Sequence, residues 1–317
     1  MIALLVFSLL QMRTSTLPYL PPELWTLVFS FVDTPNSARL VYRHWSKLIK
    51  AKMHCHDGYF ANLTIFQWYI AERKLELDEQ LMASCARFGK LELISWLRRE
   101  FCPWDEDTPS SAAKHGHLKV LKWVRARNCP WNENTCSSAA EGGHLEVLQW
   151  ARNHGCPWDN LVCTRAAKHG HLKVLQWARE NGCPWGWSTC AVAAENGHLR
   201  ILQWLRTNGC RWDEDTCSGA AKNGHLEVLQ WARAHGCPWN IWTCAHAAEG
   251  GHLTVLQWAR TNGCPWTART CSAAASYGHL EVLQWARSNG CRVDKWAYIW
   301  AEEYGHSHII DWLFKQA

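Results

Sequence analysis

The chain has 317 residues, 48% of them hydrophobic and 19% charged, with a formal net charge of +5. That balance excludes an intrinsically disordered chain and demands no polyanionic partner. Its 16 cysteines are evenly spaced singles in a large chain, which excludes a small secreted disulfide scaffold.

Residues 1–16 open on an apolar run, "MIALLVFSLL", that is too short to cross a bilayer. It is long enough for the core of a signal peptide, but no Lys or Arg precedes it. A start placed ahead of Met12, or a helix capping the next module, are the other readings. Secretion is not expected.

Residues 17–49 read as two helices. Pro21 and Pro22 stand where a helix start tolerates proline. Leu24, Leu27, Val28 and Phe31 then recur at i, i+3, i+4 and i+7, an apolar helical face. Pro35 breaks the chain, and Leu40, Val41, Trp45, Leu48 and Ile49 mark the second helix. Two such helices are too small to bury their apolar surface alone, so they must dock on the rest of the chain or on a partner. Leu20, Pro21, Glu23, Leu24, Val28, Phe31, Val41 and Trp45 together resemble the F-box. That resemblance implies a hold on the Skp-family adaptor of a cullin ubiquitin ligase, with whatever follows holding the protein to be ubiquitylated. Residues 50–77 read as a connector and a degenerate capping repeat, with Trp68 one residue off the period that follows.

From residue 78 the chain keeps a strict period of 27 residues. Gly116-His117 is repeated as Gly143-His144, Gly170-His171, Gly197-His198, Gly224-His225, Gly251-His252 and Gly278-His279, and again at Gly305. A Trp keeps the same time from Trp96 to Trp312, as does a Cys from Cys102 to Cys291. Nine units without an insertion predict a solenoid. One unit has too few large apolar side chains to offset the entropy of ordering itself, so stacking supplies the core.

Each unit reads as two short helices. In residues 135–158 the first has Thr135 at its N-cap, small Ala139 and Ala140 for close approach, and Gly143 as a left-handed stop. The second carries Leu145, Leu148 and Ala151 on one stripe and Val147 and Trp150 on another, as in a helix packed on both sides. Gly155 ends it, and Cys156-Pro157-Trp158 turns the chain back. Equivalent cysteines such as Cys129, Cys156 and Cys183 fall one repeat apart, about 8–10 Å for packed helices, beyond the roughly 7 Å reach of a disulfide. Free, buried thiols in a reducing compartment are expected, so the cytoplasm (a host's, if the chain is viral) or the nucleus.

The pattern Thr-x-x-x-Ala-Ala-x-x-Gly-His, followed by Leu-x-Val-Leu and a closing Gly, resembles the ankyrin repeat over residues 78–317. A unit here is about six residues shorter than that family's 33. The resemblance therefore implies helix pairs without the β-hairpin fingers. Trp-rich units of this length resemble those of giant DNA viruses of amoebae, of the pandoravirus and mimivirus type.

The recurrent His and Cys invite a zinc reading, but zinc needs four converging ligands, usually with a tight Cys-x-x-Cys pair, and none exists here. The histidines are expected to bond neighbouring loop backbones and the cysteines to fill small buried notches. Arg125, Arg152, Arg179, Arg206, Arg233, Arg260 and Arg287 form a ladder that an electrostatic reading could lay along phosphates. Glu146, Glu227 and Glu281 punctuate it, so a solvated face is expected, and the aromatic stripe is expected to be core. No nucleophile–base pair or phosphate-cradling loop stands out, so no enzyme, cofactor or metal site is expected.

Slots that vary between units are free to carry recognition. They lie just after the Cys-Pro-Trp turn, in the middle of the first helix, and just before its Gly. In ankyrin-like stacks these slots line the concave side. Arg165, Trp187, Ile241, Trp242, Arg269 and Tyr277 are the anchors expected to touch a target, since aromatic and Arg side chains dominate interfaces.

The expected fold is thus all-α, an F-box-like module followed by an ankyrin-like α-solenoid of about nine helix-pair repeats. The expected role is a substrate-recruiting ligase subunit, monomeric apart from its complex, with an adaptor at one end and an unknown target protein on the repeats. A binding scaffold with no ubiquitin role and a nucleic-acid-binding solenoid are the rivals; no membrane partner is expected.

Overall fold

A computed structural model describes residues 63, 66, 67, 70, 71, 75–186 and 188–315. The F-box-like residues Leu20, Pro21, Glu23, Leu24, Val28, Phe31, Val41 and Trp45 lie outside them, as does Trp187. The chain divides into two compact units, Met1–Leu75 and Glu76–Ala317. In the first, Phe66 and Ile70 are buried. The second is all-helical, with no strand among the described residues.

Its helices alternate between two layers. The first helices of the units are α1 (Glu79–Arg87), α3 (Asp107–Lys114), α5 (Glu133–Glu141), α7 (Leu161–Lys168), α9 (Thr189–Glu195), α11 (Glu214–Lys222), α13 (Ile241–Glu249), α15 (Ala268–Ser276) and α17 (Lys295–Glu303). The second helices are α2 (Leu91–Arg99), α4 (Leu118–Arg125), α6 (Leu145–Asn153), α8 (Leu172–Glu180), α10 (Leu199–Thr207), α12 (Leu226–Ala234), α14 (Leu253–Thr261), α16 (Leu280–Ser288) and α18 (Ser307–Phe314). Each first helix packs along the first helix of the next unit, and each second helix rests on its own first helix. Fully buried Cys136, Ala139 and Ala140, repeated in every unit from α5 to α15, permit that close approach.

Both helices of a unit end in the same way. The His144 amide donates to the Ala139 carbonyl at 2.9 Å and the Gly143 amide to that of Ala140 at 3.2 Å, closing α5. The Cys156 and Gly155 amides close α6 on Ala151 and Arg152, each at 3.0 Å. These are Schellman closures, which need a left-handed residue at the glycine. Gly143 stands at φ +75° and Gly155 at +78°. In the first two units Phe101 and Asn128 take the second of these places at φ 62° and 60°.

The helix starts correct the sequence reading. Thr135 is not an N-cap but lies inside α5, buried, with its hydroxyl 3.4 Å from that of Ser110. The cap is Asn132, three residues earlier, whose side chain accepts from the Asn134 amide at 3.0 Å. Asp105, Asp159, Asp213, Asn240, Thr267 and Asp294 make the same bond at the same step of the period. An Asx side chain satisfies an amide there that Thr, already committed to the packed helix layer, cannot reach. Gly186 holds this place in the fifth unit and has no oxygen to offer, and α9 is correspondingly short, at 7 residues.

The second-helix stripes also differ from expectation. Val147, Leu148 and Ala151 are buried, whereas Leu145 and Trp150 are only half-buried. The aromatic residues are therefore not core. Trp150 packs edge-on against Trp131 with centroids 6.0 Å apart, and Trp158 does the same with Trp177 at 5.9 Å. The Arg ladder is not a free solvated face either. Arg152 donates to the Cys156 carbonyl at 2.5 Å and lies 4.1 Å from the Trp158 ring. Arg125, Arg179, Arg206, Arg233 and Arg260 repeat both contacts. A guanidinium held by a carbonyl over an indole braces the turn between units. In the eighth unit Cys291 is followed by Arg292 and Val293, and Arg287 faces Trp312 instead, at 5.7 Å.

Fifteen cysteines among the described residues are free and buried. Equivalent cysteines stay apart, but two unlike ones meet within a unit: the Cys136 thiol hydrogen-bonds that of Cys156, and the pairing repeats from Cys163 with Cys183 to Cys271 with Cys291. That hydrogen bond and burial both push the Cys136 thiol up. Burial pushes Cys102 up to about 11 and Cys129 up to about 12. Thiols kept out of solvent react only when their unit opens. Iodoacetamide mapped by mass spectrometry is expected to label Cys136 and Cys156 far more slowly than a free thiol, and at free-thiol rates in urea. Fast labelling of the native chain at these positions would contradict the packing.

Candidate protein-binding face

The recurrent histidines join the units. His171 Nε2 lies 3.0 Å from the Glu141 carbonyl, and His117, His198, His279 and His306 repeat the contact at 2.9–3.0 Å. His144 and His252 bond the carbonyls of Lys114 and Lys222, and burial holds both imidazoles below their usual range. Each ring lies against the glycine one unit back, as His171 does against Gly143. These bonds run from each histidine to the preceding unit. Gly116, Gly143, Gly170, Gly197, Gly224, Gly251 and Gly278 are all left-handed and form the other half of each joint.

The first helices present their remaining face away from the second helices, and the slots that vary between units lie on it. Around α5 and α7 the face is charged. Glu141 receives Lys114 at 2.7 Å and Arg165 at 3.1 Å, with His169 at 3.8 Å. Burial would raise its carboxyl, but Lys114 first, then Arg165 and His169, outweigh it and hold the group below the usual carboxylate range. Arg165 is thus committed within the chain.

From α13 to α17 the face turns aromatic. Trp242 is 41% exposed and Tyr277 56%. Arg269 lies over the Trp242 ring at 4.5 Å, and the ring of His246 is 5.8 Å from that of Trp242. The Tyr277 hydroxyl hydrogen-bonds Glu249, which also takes Lys222 at 2.9 Å. Ile241, half-buried, precedes Trp242 at the start of α13. The structure therefore gathers Ile241, Trp242, Arg269 and Tyr277 into one patch and leaves Arg165 three units away.

Sequence reasoning missed the other half of this patch. Trp296, Trp300 and Tyr304 stack in sequence along one face of α17, with centroids 5.8 and 6.1 Å apart. Trp296 and Tyr304 are 45% and 57% exposed. The signal was present: Trp296 stands two periods after Trp242, and Tyr304 one period after Tyr277. Ala273 stands at the equivalent middle position of α15, one period after His246 on α13 and one before Trp300 on α17.

No group of three or more His, Cys, Asp or Glu among the described residues could hold a metal ion. No described helix is long and apolar enough to cross a membrane. The patch presents exposed rings, one guanidinium, and carboxylates already satisfied by the chain, on an array of repeated helix pairs.

The family model of ankyrin repeats (many copies) matches residues 136–179 and 163–206, two stretches offset by one 27-residue unit. Among solved structures, the ankyrin repeat domain of human ASB11 is similar, with 17% identity, a TM-score of 0.41, and coverage of 50% of this chain and 85% of that one. No curated protein matches the chain. Residues 136–206 are thus similar to ankyrin repeats, and the same 27-residue unit recurs on either side of them.

Proposed function

We propose that the chain recruits a target protein to a cullin-type ubiquitin ligase. The first-helix face of residues 79–304 holds the target, and the F-box-like segment of residues 17–49 holds a Skp-family adaptor. The observation that supports this reading is the presence, in one chain, of that segment and of a repeat face with exposed aromatic anchors at Trp242, Tyr277 and Trp296. The chain itself carries out no reaction. Its place of work is the cytoplasm or nucleus, where its thiols stay reduced.

Co-expression of the full chain with a eukaryotic Skp-type adaptor is expected to yield a complex that survives size exclusion. The Leu24→Asp, Trp45→Ala double variant is expected to lose it. A parent chain that does not associate with any such adaptor sinks the ligase reading and leaves a binding scaffold with no ubiquitin role, for which the anchors on the repeat face suffice. The nucleic-acid reading is disfavoured because the guanidinium groups from Arg125 to Arg260 are spent on carbonyls and indoles.

A further inference from the structure

The joint between the first two units departs from the period at three places, and all three line one cleft. Ser95, Arg98 and Arg99 of α2 form one wall, Trp123 of α4 and Arg127 just past α4 the other, and the volume is about 440 Å³. Ser95 stands where the third to eighth units carry Gln, from Gln149 to Gln284. The shorter side chain, its hydroxyl donating to the Glu92 carbonyl at 2.8 Å, leaves room there. At the place of Arg99 those six units carry no cation, and at that of Arg127 they carry only His or Asn, such as His154 and Asn181.

The three guanidinium groups are not alike. Arg98 makes the bracing contacts of the Arg ladder, donating to the Cys102 carbonyl at 2.7 Å and lying over the Trp104 ring at 4.1 Å. Its fork is held, but neither contact cancels its charge. Arg127 donates to the Trp123 carbonyl at 3.4 Å and covers the Trp123 ring at 3.9 Å, which leaves most of its N–H groups free. Arg99 is exposed, and its guanidinium has no hydrogen bond or ion pair among the described residues.

No carboxylate lines the cleft, and among the described residues none forms an ion pair with these three. Glu92 lies roughly two turns before Arg98 and Arg99 on α2. Glu100 holds in the first unit the place that Arg127 holds in the second, a place that looks back along the stack and so away from α4. Asp105, beyond Trp104, caps α3 through the Asp107 amide at 3.0 Å. The cleft is therefore a cationic site with a free fork on each wall.

That arrangement selects among anions. A carboxylate brings one charge and two oxygens, enough for one bidentate Arg. A phosphate monoester brings a charge of about −1.5 to −2 and three strong acceptor oxygens, so it can bridge both walls. Sites for free small molecules are mostly apolar. Here the one apolar wall is Trp123, and Arg127 already covers its ring. A phosphate carried on a chain that runs over the surface fits better.

We propose that this cleft binds a phosphate monoester carried as a phosphoserine or phosphothreonine on a partner protein. Arg99 and Arg127 hold its oxygens from the two walls, and Arg98 adds its charge beside them. The site belongs to the second-helix layer, apart from the aromatic patch, and does not depend on the ligase reading.

A library of phosphoserine- and phosphothreonine-centred peptides and its unphosphorylated counterpart, each incubated with the full chain, test the proposal. Phosphorylated peptides are expected to be retained and their counterparts not. The Ser95→Gln, Arg99→Asn, Arg127→Asn variant gives this joint the residues of the joint between the third and fourth units, Gln149, Asn153 and Asn181. It is expected to bind the selected peptide at least about tenfold more weakly, with an unchanged thermal midpoint. Arg99→Gln alone alters an exposed side chain without a partner and is expected to weaken binding severalfold, which keeps the test decisive if the triple variant does not fold. Retention of both peptide forms alike, or phosphopeptide binding that neither variant weakens, overturns the proposal. Tighter binding of a single-stranded DNA oligonucleotide, lost in the same variants, overturns it in favour of a phosphodiester backbone. Binding of glucose 6-phosphate but of no phosphopeptide overturns the protein carrier.

Discussion

Alanine at Gly143 is expected to destabilise the solenoid by about 2–4 kcal/mol, whereas alanine at Gly155 costs only about 1–2 kcal/mol. Both residues are left-handed, at φ +75° and +78°, so the backbone strain is shared. Their surroundings differ. A Cβ on Gly143 would lie 2.5 Å from His171 Nδ1, while one on Gly155 meets nothing within 4 Å. The His171 ring would have to leave, and with it the bond from its Nε2 to the Glu141 carbonyl that ties the third unit to the fourth. Urea denaturation followed by circular dichroism gives the two losses directly. His171→Ala in the Gly143→Ala background is expected to cost much less than His171→Ala alone, because the joint is already broken. Equal losses at the two glycines would show that the His–Gly joint contributes nothing beyond backbone strain.

Leu202→Ala is expected to cost about 2–5 kcal/mol and to split unfolding into two steps. Leu202 is fully buried on α10, in the fifth of nine units. Stability in a solenoid is close to a sum of unit and neighbour terms, so a cavity in the middle lowers the barrier to opening there while the two ends remain folded. The fifth unit is already the weakest start, with Gly186 in place of a capping side chain and a first helix of 7 residues. Leu313→Ala, at a fully buried site on α18, removes a side chain of the same size at the end of the stack. It is expected to fray that end and leave a single main transition. Hydrogen exchange read by mass spectrometry separates the cases. Protection lost evenly over all nine units by both variants would mean that the array unfolds as one cooperative body.

The repeat architecture was legible in the residues alone because every unit meets a copy of itself. A residue needed at one joint is needed at all of them, so packing requirements appear as period. Gly143 and His144, or Leu148 and Ala151, could thus be assigned structural roles without coordinates. Short-range features followed from local rules, such as the left-handed glycines that end each helix.

What the tertiary structure decided depends on how one unit is set against the next. Thr135 and Asn132 are both plausible caps by residue type; the depth of Thr135 between first helices is what removes it from that role. The Arg and Trp ladders look like a solvated face and a core stripe until the turn brings Arg152, Cys156 and Trp158 together. Cys136 and Cys156 are unlike positions 20 residues apart, and only the antiparallel pairing of α5 with α6 makes them neighbours. The aromatic patch is the clearest case. Trp242, Arg269, Tyr277, Trp296 and Trp300 belong to three units, and each varies freely within its own. Periodicity records what identical neighbours share; a recognition surface is made of what they do not share, and only the side-by-side packing of α13, α15 and α17 turns those differences into a single surface.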